Sequence, residues 1–73
     1  MTLKELMMVT DESLSIAVSG VEEEVAKMNI WTCPEDVAEQ DYSEAYDVAE
    51  VGTYVIPKSE EICLYVKVVK NGN

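Results

Sequence analysis

Between Glu35 and Glu50 the chain sets seven carboxylates, Glu35, Asp36, Glu39, Asp41, Glu44, Asp47 and Glu50, with no Lys, Arg or His among them. Carboxylates this crowded suit three kinds of chemistry: holding a divalent cation, sharing protons as an acid–base pair, or presenting negative charge to a basic partner. A calcium loop of the D-x-[DN]-x-[DN]-G type needs a glycine at its sharp turn. None occurs between Gly20 and Gly52. A carboxylate pair of the glycosidase kind works across a deep pocket, and 73 residues leave little room for one. Charge presentation asks only for an exposed face, and it is the chemistry we expect here.

Cys33 and Cys63 are the remaining reactive side chains. They stand thirty residues apart rather than in a C-x-x-C pair, and the chain has no histidine to complete a zinc site or a Cys-His or Ser-His nucleophile. Both are expected to be reduced structural thiols; a disulfide would require export. The absence of arginine weakens any phosphate clamp, and neither G-x-x-x-x-G-K-[ST] nor G-x-G-x-x-G occurs. The expectation is therefore a non-enzyme, without cofactor or metal.

Fifteen acids against five lysines give a net charge of −10. That charge opposes direct binding of nucleic acid, which needs clustered cations, and of anionic membrane surfaces. It favours a basic partner reached by electrostatic steering, or serves only to keep the protein soluble. No apolar run approaches the roughly 18 residues of a membrane span, and MTLKELMMVT lacks the layout of a secretory signal. A cytoplasmic location follows as the expectation. The length allows one domain, residues 1–73, and an apolar fraction of 48% argues for a folded chain.

Several elements must position these groups. Thr2 and Glu5 stand at capping-box spacing, with Leu3, Leu6 and Met7 on one helical face. From Ser13 the period changes to two, so Leu14, Ile16 and Val18 define a half-buried strand. Ser19-Gly20 signals a two-residue hairpin turn. Residues 21–31 read as the returning strand, with Ala26, Met28 and Ile30 on one side and Val25, Lys27 and Trp31 on the other. A helix with Val21, Val25 and Met28 as its stripe is the alternative. Val51–Ile56 and Ile62–Val69 flank PKSEE as a second hairpin. The last strand is apolar on both faces, so it is central in the sheet or covered, and Asn71-Gly72-Asn73 reads as a frayed tail.

Pro34 suits the first turn of a helix, and a projection of residues 34–50 gathers Ala38, Tyr42, Ala45 and Ala49 on one side. Asp36, Glu39, Glu44, Asp47 and Glu50 fall opposite, Asp41 lies at the apolar boundary, and Ser43 could restart a broken helix. The expected product is a one-signed ridge, destabilised by a few tenths of a kcal/mol for each like-charged pair. Trp31, Tyr42, Tyr46, Tyr54 and Tyr65 are split between core and interface.

The order of a short helix (TLKELMMVTDE), an alternating strand (SLSIAV), an acidic middle and a closing β run (ICLYVKVV) resembles small acidic proteins of bacteriophages and mobile elements. Some of those inhibit bacterial defence, among them anti-CRISPR proteins that occupy nucleic-acid-binding surfaces of CRISPR effectors. The likeness covers most of the chain through layout and charge, and it transfers no functional residue. It implies an inhibitor of a nucleic-acid-handling protein.

The sequence thus predicts an α+β domain of short helix, hairpin, acidic helix and hairpin, with the helices on one face of a four-stranded antiparallel sheet. Glu35, Asp36, Glu39, Glu44, Asp47 and Glu50 are the expected contacts to a basic partner, with nucleic-acid mimicry as one form of that contact and Glu22, Glu23 and Glu24 as a second patch. The alternative function is self-association, as a homo-oligomer, through the last strand using Tyr65 and Val69.

Overall fold

A computed structural model describes residues 1–21 and 28–71. Thr2 opens the first helix, α1 (Leu3–Met8), with a closed capping box: its hydroxyl accepts from the Glu5 amide at 3.1 Å, and the Glu5 carboxylate accepts from the Thr2 amide at 2.8 Å. Leu3 and Met7, one turn apart, are buried, and Leu6 packs beside them. At the far end the Leu6 carbonyl accepts twice, from the Val9 amide at 3.2 Å and from the Thr10 hydroxyl at 2.6 Å.

The chain continues through β1 (Ile16–Ser19), β2 (Asn29–Trp31), α2 (Pro34–Ala38), a 3₁₀ turn (Asp41–Glu44), β3 (Tyr46–Val55) and β4 (Ile62–Lys70). The four strands form one mixed sheet in the order β2-β1-β4-β3. Its outer pairs are antiparallel, as expected, but β1 runs parallel to β4, which corrects the all-antiparallel expectation. The physical reason is burial. β1 is closed on both faces, Ala17 included, and β4 is apolar on both, so the two lie side by side in the middle where both faces can be covered. Ile16, Val18, Val66 and Val68 then meet Leu3, Met7 and Val37 to make the core, placing both helices on one side of the sheet.

Ser19-Gly20 is not a two-residue hairpin. Gly20 takes φ of 96°, pressed against the Val68 carbonyl, and the next described strand is β2, from Asn29. The register sets Val18 opposite Asn29, so residues 19–28 lie between the paired ends instead of a two-residue turn. Val21 is buried, and its carbonyl accepts from the Tyr46 hydroxyl. Within the predicted returning strand, residues 29–31 pair with β1 as expected, while the alternatives weighed for residues 22–27 lie outside the described residues.

The expected helix over 34–50 ends after five residues. Pro34 does occupy the first turn, with Glu35 and Asp36 at the favourable end of the dipole, and Val37 is buried. From Tyr46 the chain is strand. Tyr46, Val48, Val51, Thr53 and Val55 all stand opposite residues 62–70 on the helix side of β4, and the switch from even to odd numbers is made by a β-bulge at Ala49. The bulge hides the period of two, leaving a spacing that imitates a helix. The chain does restart after α2, though at Asp41 and as a 3₁₀ turn. Ser43 is buried with its hydroxyl donating to the Ala38 carbonyl at 2.9 Å.

Asn71 is held rather than frayed. Its amide donates to the Ala45 carbonyl at 2.9 Å and its side chain to the Glu44 carbonyl and the Asp47 carboxylate. Trp31, Tyr42 and Tyr46 pack against the core, the two tyrosines edge to face at 6.0 Å. Tyr54 and Tyr65 project from the other face of the sheet, where the Tyr65 hydroxyl meets that of Ser19 at 2.9 Å.

Candidate functional site

α1 packs along α2 and the 3₁₀ turn, and the seam between them opens outward as a shallow cleft of about 530 Å³. Its walls carry four carboxylates: Glu35 and Glu39 from α2 and its end, and Asp41 and Glu44 from the turn. One cation answers them. Lys4 of α1 reaches across to Glu44 at 3.1 Å, an ion pair between well-exposed groups and therefore a weak tether. The cleft keeps a strong negative excess in high-dielectric surroundings, suited to attracting cations over a distance rather than to binding one tightly.

Local sequence explains the convergence. Val37 anchors α2 to the core, which leaves Glu35, Asp36 and Glu39 exposed. The Gln40 side chain donates to the Asp36 carbonyl at 3.2 Å, and the Gln40 amide to the Val37 carbonyl at 3.1 Å. Those bonds turn the chain, so that Asp41 and Glu44 come back alongside the helix they follow. Asp41, read from the sequence as a boundary residue, is thereby a member of the acidic wall. Only the turn could have revealed it, because a continuous helix would carry Asp41 round to another face.

The expected ridge is divided. Glu35, Glu39 and Glu44 meet in the cleft, and Asp36 is exposed on the same short helix but outside it. Asp47 and Glu50 belong to β3 and stand opposite Val69 and Lys67, on the sheet face away from the helices. Asp47 is engaged by the Asn71 side chain at 3.3 Å, and Glu50 faces a lysine across the ladder. These two acids therefore belong to a different element from the other four, with the Asn71 side chain joining the Asp47 carboxylate to the Glu44 carbonyl where β3 leaves the turn. The second patch, Glu22 to Glu24, lies outside the described residues.

Among the described residues no group of three or more acids or cysteines is placed to hold a metal ion, and no helix is long and apolar enough to cross a membrane. Both cysteines are free thiols. Cys63 is buried on the open side of the sheet, where desolvation and the nearby Glu61 charge push its thiol pKa upward; Cys33 is half-buried. A raised thiol pKa opposes nucleophilic use. The fold and site together describe a small α+β protein with a four-stranded mixed sheet and an acid-walled cleft beside its helices. No family model, curated protein or solved structure matches the chain.

Proposed function

We propose that the protein is a non-enzymatic inhibitor that binds a basic surface of a nucleic-acid-handling protein, such as a CRISPR effector nuclease, through the acidic layer formed by α2 and the 3₁₀ turn. The observation that carries this reading is the convergence of Glu35, Glu39, Asp41 and Glu44 on one open cleft whose walls hold a single lysine. A groove built for nucleic acid meets a close run of negative charge, and these carboxylates, with Asp36 beside them, offer one on a rigid support. The net charge of −10 steers the approach, and the resemblance to small acidic phage proteins agrees with a cytoplasmic role of this kind. Asp47 and Glu50 take a lesser part, as a separate patch.

The test is competition. A purified CRISPR effector nuclease carrying its guide is titrated with the protein while release of a labelled DNA target is followed at low and at physiological salt. The expected result is salt-sensitive displacement that falls about tenfold or more in a Glu35→Gln/Glu39→Gln/Glu44→Gln variant and little in Asp47→Asn/Glu50→Gln. Loss of displacement in the second variant with retention in the first would move the contact to the open sheet face. Displacement that ignores both salt and substitutions would remove charge from the explanation.

A further inference from the structure

The two outer strands of the sheet differ greatly in what they expose. β2 is three residues long, whereas β3 runs for ten and has β4 on one side only. Its outer edge is partly occupied: Thr2 bridges to Asp47, and the Val48 amide donates to the Met1 carbonyl at 2.9 Å. Beyond the Ala49 bulge no described residue pairs with this edge until the chain turns at Pro57. The open stretch is therefore residues 50–56, and its midpoint is Thr53. β4, expected from its apolar character to mediate self-association, has β1 on one side and β3 on the other and presents no edge over residues 64–67.

We propose that this edge is a docking surface for a second copy of the same chain, joining two four-stranded sheets into one of eight strands about a two-fold axis at Thr53. Backbone direction permits it. The Ile56 amide donates inward, to the Glu61 carbonyl at 2.9 Å, and backbone groups alternate along a strand. Those of Val55, Thr53 and Val51 consequently point outward, in register for an antiparallel copy of themselves. Val51 then stands opposite the partner's Val55, and Gly52 opposite the partner's Tyr54. Each pairing occurs twice, one being a β-branched pair and the other an aromatic ring laid over a glycine.

Charge selects the same stretch. Two molecules of net charge −10 repel, so a contact between copies belongs where charge is absent or compensated. Residues 51–57 carry no acid or base other than the Tyr54 phenol, and Glu50 at the border faces Lys67 across the ladder. Devices that guard an edge, the Ala49 bulge with Glu50 and then Pro57, stand at the two ends of the stretch, while residues 51–56 between them carry no lysine, proline or charge. Val51, Val55 and Ile62 are 54%, 51% and 64% exposed, so pairing also shelters apolar surface that the helices do not reach. The area limits the strength. A standard interface takes about 800 Å² per partner, roughly a sixth of this molecule's 4806 Å². Seven paired residues supply less, so the dimer belongs to the weak, reversible class.

The experiment is sedimentation velocity of the full chain from roughly 5 to 500 μM in physiological salt, with amide hydrogen exchange measured at both ends of that range. The expected result is a concentration-dependent dimer, with protection of the Val51, Thr53 and Val55 amides rising with concentration. Thr53→Lys, which brings two ammonium groups together at the axis, is expected to weaken association about tenfold or more while leaving circular dichroism unchanged. A monomer throughout the range overturns the proposal. So does a dimer whose three amides gain no protection, a reading that needs no variant, or one that Thr53→Lys leaves intact.

Discussion

Gly20 is the residue on which the join between the two halves of the sheet depends. It holds a φ that other residues reach only with strain, and a Cβ built there would collide with the Val68 carbonyl of β4. Gly20→Ala is therefore expected to lower stability by roughly 2 to 4 kcal/mol, combining left-handed strain with overpacking against backbone. Urea denaturation should show the midpoint falling with an unchanged slope. Cys63 gives a second expectation at this scale. Its thiol pKa is raised in the folded state, by burial and then by Glu61, so the unfolded chain ionises first as pH climbs. The stabilisation is complete below the ordinary thiol range of about 8.5 and is lost as pH rises through the folded value. Tyr42, raised by burial, adds a loss of the same sign at higher pH. Denaturation midpoints followed across the alkaline range should thus fall less for Cys63→Ala than for the parent once that mutant's neutral-pH offset is subtracted, and a thiol reagent should label Cys33 well before Cys63.

At the scale of elements, the bulge at Ala49 decides which way β3 faces. Were Ala49 to take a regular place in the ladder, Tyr46 and Val48 could not share a side with Val51, Thr53 and Val55 while all pair with β4. Deleting Ala49 is expected to leave these side chains on their present faces, because Val48 opposite Val68 and Glu50 opposite Lys67 then follow one another in a regular ladder. Inserting one alanine after Val51 is instead expected to turn one half of the strand over, exposing Val48 and detaching Tyr46 from Val21, with a loss of several kcal/mol by the usual cost of core disruption. Inserting one alanine in the exposed hairpin loop should cost far less, and thermal melts of both insertions would separate the two effects. The same bulge limits what the sequence discloses. α1 was legible because Thr2, Glu5, Leu3 and Met7 all lie within two turns, and the β4 run was legible from its apolar faces. Residues 46–50 were not, since one extra residue broke the alternation and left Tyr42, Tyr46 and Ala49 at helical spacing. The acidic cleft was legible in part for that reason: Glu35, Glu39 and Glu44 hold under either description, whereas Asp41 joins and Asp47 and Glu50 leave only once the helix is known to stop.

For the whole molecule, charge is the property most directly inherited from composition. A net −10 on a body of about 38 × 26 × 18 Å repels itself, and the described ion pairs amount to Lys4–Glu44. Raising sodium chloride from about 10 to 150 mM shortens the screening length from roughly 30 to 8 Å, so thermal stability is expected to rise by several degrees, read from melting curves at pH 7. A melting temperature that falls or stays level over that range would mean that local attractions, not global repulsion, dominate. The order of the strands was not legible at this scale, because the pairing that defines it joins residues 16–19 to residues 64–67, and nothing local to either segment specifies the other. That pairing bears on how the chain acquires its structure in time. β4 lies inside the sheet yet follows every other element in sequence, so a growing polypeptide has neither a completed sheet nor a closed core until Lys67 and its neighbours have left the ribosome. The first hairpin and both helices must wait, with Ile16, Val18, Leu3 and Val37 uncovered, and contacts of such long sequence separation form slowly. Folding is then a single late event rather than a progressive one, and the dense negative charge carried by residues 34–50 keeps the waiting chain apart from its neighbours.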